Sequence, residues 1–192
     1  MRTTAMRARR LFLFLFAAAL LTAFGCSNGG DVTVSPNFAC TDSGTPAANS
    51  VTMTCGGATY ATQQVDVVIG GPATLSGLSF NVMYDADNLV YQSFDASAAS
   101  QLFPGALISV APSAEPNSVP GYKDVVVAIQ MTGGTALTDV AGQHLVLSLT
   151  FARTPGATFA PTPLGFNVER TLTATPATAG TTFASSLMLS YQ

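Results

Sequence analysis

Leu78-Ser79-Phe80-Asn81-Val82-Met83-Tyr84 is the stretch on which the fold turns: apolar side chains at 78, 80, 82 and 84 alternate with Ser79, Asn81 and Met83. Alternation with a period of two puts one set on each face of an extended strand and would scatter it around a helix. The same period recurs on both sides. Val65, Val67 and Ile69 form a row before it; Val125, Val127, Ile129 and Met131 form one after it, and Leu145, Leu147, Leu149 and Phe151 another. Shorter strands are expected near 51–55, 88–94, 106–110, 164–174 and 182–191, and Asp95 to Leu102 has room for one or two turns of helix. The eleven prolines fall outside the clear strands, several beside glycine, as turns require. Short strands that each hide one face predict an all-β sandwich, and no internal repeat or second domain is visible.

The chain starts differently. Arg2, Arg7, Arg9 and Arg10 precede the unbroken apolar run Leu11–Leu21, which is too short to cross about 30 Å of hydrocarbon and reads as a secretory signal. Leu20-Leu21-Thr22-Ala23-Phe24-Gly25-Cys26 resembles a bacterial lipobox, in which the cysteine becomes the lipidated first residue. Residues 1–25 are therefore expected to be a lipoprotein signal peptide, 26–37 a tether and 38–192 the folded domain. Lipid on Cys26 would be the one membrane attachment, through several acyl chains because a single chain holds only marginally. Ser27 follows the cysteine and no Asp stands there to retain the protein at an inner membrane, so the expected address is the outer membrane or the cell surface. Cysteine arithmetic agrees: with Cys26 lipidated, Cys40 and Cys55 are left to form a disulfide in an oxidising compartment.

Charge narrows the partners. The chain has 7 basic and 10 acidic residues; beyond Cys26 only Lys123, Arg153 and Arg170 remain basic, so the balance there is 3 − 10 = −7. Such a domain does not attract nucleic acid or anionic lipid. Chemistry is equally scarce. His144 is the only histidine and falls on the polar phase of its strand, no Gly-x-Ser-x-Gly elbow is present, and two cysteines fifteen apart make no zinc site. Asp85-Ala86-Asp87-Asn88 is the one acidic cluster; with Leu89 at the fifth position and Ala96 at the twelfth it is not an EF-hand loop, and Asp and Asn there suit a turn. No cofactor and no enzyme activity is expected, and calcium in that turn is left open. Tyr60 and Tyr122, in loop-like contexts, are the candidates for stacking on a sugar, whereas Tyr84 and Tyr191 read as core.

Residues 63–95, with a strand ending in Tyr84-Asp85, a tight turn and a strand opening at Leu89, resemble the opening of a bacterial cohesin domain. Ala141-Gly142-Gln143-His144-Leu145 through Phe151 resembles a later strand of that family, and Leu164-Gly165-Phe166 with Leu187–Tyr191 would supply the last ones. The resemblance implies a nine-stranded jelly-roll sandwich that holds a dockerin-like protein partner, in a polysaccharide-degrading setting. It further implies a partner-binding face made of Gly77, Ser79, Asn81 and Met83, joined on the neighbouring strand by Val126, Ala128 and Gln130. Type I members commonly place Asn and Asp where Gly77 and Ser79 stand, so two hydrogen-bonding groups are missing here. A carbohydrate-binding module and a structural envelope lipoprotein without a specific ligand are the alternatives.

Overall fold

The computed structural model describes residues 37–192 except 43, 133–139, 171, 176–179 and 185. Cys26, the signal peptide and most of the expected tether lie outside the described residues. The elements run β1 (Phe38–Thr41), β2 (Ser50–Ala58), β3 (Thr62–Gly70), β4 (Gly77–Asp85), β5 (Leu89–Asp95), α1 (Ser97–Leu102), β6 (Ala106–Pro112), β7 (Tyr122–Met131), β8 (Gln143–Arg153), β9 (Thr162–Phe166), β10 (Thr173–Thr175), β11 (Thr182–Phe183) and β12 (Ser186–Tyr191). They form two sheets. The first has the order β1-β12-β9-β4-β7-β6, with β10 also on β4; the second has the order β11-β2-β3-β8-β5.

The rows read from the sequence face each other across the gap between the sheets. Val65, Val67 and Ile69 from β3, Leu78, Phe80, Val82 and Tyr84 from β4, and Val125, Val127 and Ile129 from β7 are all buried in one continuous core. Rings join the layers: Tyr84 of the first sheet meets Phe151 of the second with centroids 5.3 Å apart, and Phe80 meets Phe183 at 6.1 Å. Such aromatic pairs add to the area they bury, which is the main force closing the sandwich.

A two-sheet β-sandwich is thus the observed fold, but its strand count departs from the expected nine. Twelve strands stand among the described residues because β1 adds one and two expected strands are each broken in two. The segment expected as one strand over 164–174 lies along β4 twice, β9 opposite Val82–Tyr84 and β10 opposite Gly77–Ser79, with the chain lifting off between them. The segment expected over 182–191 changes sheet: β11 pairs in parallel with β2, and β12 then pairs with β9 and β1.

The Leu145 row needs a correction too. Leu147, Leu149 and Phe151 are buried, but Leu145 is 41% exposed and Val146 takes the core position. A register shift between Val67 and Val68 explains this: Val67 pairs with Leu147 and Val68 with Leu145, so the extra residue in β8 reverses the phase beyond it. His144 is exposed, as expected, but it lies opposite Ile69 past that reversal.

Cys40 of β1 and Cys55 of β2 form the expected disulfide, with Cα atoms 5.8 Å apart, and it ties the first sheet to the second. Phe38, two residues earlier, packs edge-on to Tyr191 and Phe159 at 5.2 and 5.6 Å. Asn37 and Gln192 exchange two backbone hydrogen bonds, of 2.7 and 3.0 Å. The helix α1 starts where Asp95 accepts the Ser97 N–H at 2.8 Å, and that bond holds the Asp95 carboxyl below its ordinary pKa.

Candidate binding face

β4 and β7 lie side by side at the centre of the first sheet, and their register assembles the expected face. Gly77 stands opposite Gln130, Ser79 opposite Ala128, Asn81 opposite Val126 and Met83 opposite Asp124. Because Leu78, Phe80 and Val82 point into the core, these pairs lie on the outer side of the sheet. β6 continues the rows with Leu107, Ser109 and Ala111, and β10 with Thr173 and Thr175.

The face is not uniform along its length. At the Gly77 end it is a concave groove of about 630 Å³, floored by Gly77, Ser79 and Ala128 and flanked by Gln130, Thr173 and Thr175. The small floor is structural as well as open. A Cβ on Gly77 would come within 2.7 Å of the Ile129 carbonyl oxygen, so glycine lets β4 approach β7 closely, and Gly77 is itself buried. Leu107, 68% exposed, stands beside Gln130 at the rim. No lining residue is charged, so a partner can displace water here without stripping an ion.

At the Met83 end the face is roofed. Asp124 points outward from β7, yet it is buried. Two loops cover it, one over 113–121 between β6 and β7 and one that follows β9. Asn117 Nδ2 donates to its carboxylate at 2.9 Å, Asn167 Nδ2 to both oxygens at 3.0 Å, and Arg170 Nε lies 3.6 Å away. Asn81, Met83 and Val126 beside this roof are half-buried, as Ser79 and Ala128 are in the groove, while Gly77 is buried and Gln130 exposed. Nothing in the sequence announces Asp124: next to Lys123 it reads as an ordinary solvated pair.

The acidic turn behaves as its residue types suggest. Asp85 Oδ1 accepts the Asp87 N–H at 2.9 Å, and Asp85 Oδ2 accepts Asn88 Nδ2 at 2.6 Å and the Thr162 hydroxyl at 3.3 Å. Those oxygens are spent on the turn and on β9, and no cluster of three or more His, Cys, Asp or Glu that could hold a metal stands among the described residues. Tyr122, read as a loop residue, instead opens β7 and is half-buried; Tyr60 is 70% exposed in the β2–β3 turn. Tyr191 is half-buried rather than sealed in the core, donating to the Tyr60 carbonyl at 2.9 Å beneath the Arg153 guanidinium.

No family model matches the chain, and no curated protein does. Solved structures do resemble it. CaCohA2 from Clostridium acetobutylicum in solution superposes with a TM-score of 0.50 at 16% identity, over 72% of this chain and 91% of that one. The crystal structure of a CaDoc0917–CaCohA2 complex gives 0.48 at 13% identity, over 71% and 94%. The sixth cohesin of scaffoldin B from Acetivibrio cellulolyticus, in complex with a Cel5 dockerin, gives 0.45 at 20%, also over 71% and 94%. The fold is cohesin-like.

Proposed function

We propose that this chain is a non-catalytic binding module that holds a protein partner, dockerin-like in kind, against the outer face of its first sheet. The groove carries the reading: an uncharged, small-residue floor at the centre of a sheet, rimmed by an exposed leucine, on a fold resembling cohesin. Binding sites are typically concave, with few polar groups placed in them, and this groove has that form. The module works outside the cytoplasm, tethered to a membrane through lipid on Cys26, within a system that degrades polysaccharide.

The test is capture from the culture supernatant of the source organism with the domain immobilised through its N-terminus. One defined protein retained by the parent, and lost with Ser79→Arg while the circular dichroism stays that of a β-protein, supports the reading. Retention equal in parent and Ser79→Arg removes it. For the tether, Cys26→Ser should move the protein from the detergent phase to the aqueous phase, and unchanged partitioning defeats lipidation.

A further inference from the structure

The roof at the Met83 end is anchored in a way its surface would not require. Each of its two loops contributes one asparagine that bonds in two directions. Asn117 donates its amide N–H to Asp124, and its Oδ1 accepts the Val119 N–H at 2.9 Å, two residues along its own loop. Asn167 does the same: its amide donates to Asp124, and its Oδ1 accepts the Glu169 N–H at 3.1 Å. One buried carboxylate thus fixes the conformation of two loops distant in sequence. Backbone bonds pin both to the sheet, Ser113 N–H to the Asp124 carbonyl at 2.8 Å and Asn167 N–H to the Asn81 carbonyl at 2.9 Å.

Further contacts clasp the loops to each other. Arg170 pairs with Glu115 at 2.6 Å and donates to the Pro116 carbonyl at 2.9 Å, and the Ser118 hydroxyl donates to Glu169. Glu115 is largely exposed, so that ion pair contributes little. The buried carboxylate matters more, because removing it would leave the Asn117 and Asn167 amides without their acceptor. Beyond the hub the roof exposes Val119 and Val168, the latter at 79%.

We infer that Asp124 is a positioning residue: it sets the two loops as a fixed end-stop on the outer face beside Met83, so that a partner seated over Gly77, Ser79, Ala128 and Gln130 meets the loops at that end. That the admitted molecule is a protein rests on the binding role proposed above; the end-stop itself is tested without a partner. Val119 and Val168 give the stop an apolar lip against which one end of that partner abuts.

Single cysteines at Met83 and at Gln130, in the full chain with Cys26→Ser, are labelled by a polyethylene-glycol maleimide without reductant. Gln130→Cys should react readily. Met83→Cys, half-buried beside the loops, should react about threefold more slowly than exposed Gln130→Cys. Adding Asn167→Ala should remove most of that protection and leave the Gln130→Cys rate unchanged. Equal rates at the two positions, or a Met83→Cys rate that does not respond, overturns the end-stop. Should Asn167→Ala lose its β-sheet dichroism, Asn117→Ala on the other loop is read the same way. A fixed labelling pattern together with failed capture would sink the binding role and leave the end-stop standing.

Discussion

Replacing Cys40 and Cys55 together by alanine should cost the domain about 3 kcal/mol, the chain-entropy value for a cross-link spanning roughly fifteen residues. The structure says where the loss falls. β1 is a four-residue strand at the edge of the first sheet, paired only with β12. Ordering four backbone residues costs about 4–8 kcal/mol in entropy. Against this, burying Phe38 returns about 2–3 kcal/mol, and a handful of strand hydrogen bonds at about 1 kcal/mol each returns a similar amount. These nearly cancel, so β1 on its own is marginal and the bond to β2 decides whether it stays. The double variant should therefore melt about 6–12 °C lower, at roughly 2–4 °C per kcal/mol for a domain of this size. Its hydrogen exchange should accelerate first at Phe38–Thr41 and at the facing Met188–Tyr191, before β4 or β7 responds. Parent and variant melting together, with β1 equally protected in both, would refute the reasoning.

Two further outcomes follow from the same packing. Gly77→Ala places a methyl 2.7 Å from the Ile129 carbonyl oxygen and should destabilise by about 1–3 kcal/mol, read as a lower urea midpoint at unchanged slope. Burial pushes the Tyr84 phenol above the ordinary tyrosine value of 10.0, with the Asp124 charge acting in the same direction and a backbone hydrogen bond from Tyr91 against both. A neutral form favoured by folding stabilises below the unfolded pKa and loses that contribution as pH rises through the folded one, so stability should fall above about pH 10 less steeply in Tyr84→Phe.

The central rows were readable because period two is a local property of the chain: Leu78 to Tyr84 and Val125 to Ile129 needed no knowledge of their neighbours. Pairing Cys40 with Cys55 was readable by counting. What depended on a second strand was not. Leu145 obeys its own alternation up to the point where β8 inserts a residue against Val67, and no property of residues 145–151 signals that insertion. The outer face was legible as a list of residues, since the Gly77-to-Met83 positions do lie opposite Gln130 to Val126 and Asp124. The roof over Asp124 was not, because it comes from Asn117 and Asn167, fifty residues apart, meeting on that carboxylate.

The adjacency of Asn37 and Gln192 places both chain segments at one end of the first sheet. Phe38 pairs with Tyr191, Leu189 with Thr162, and Leu164 with Tyr84, so both ends of the domain emerge beyond the Asp85 end of β4. The groove begins at Gly77, at the opposite end of that nine-residue strand, about 27 Å away. The chain therefore enters and leaves the folded unit at the end of the first sheet opposite the groove. A pull on Asn37 against the Gly77 end would run lengthwise down the first sheet and meet the β1–β2 cross-link before it reached the core.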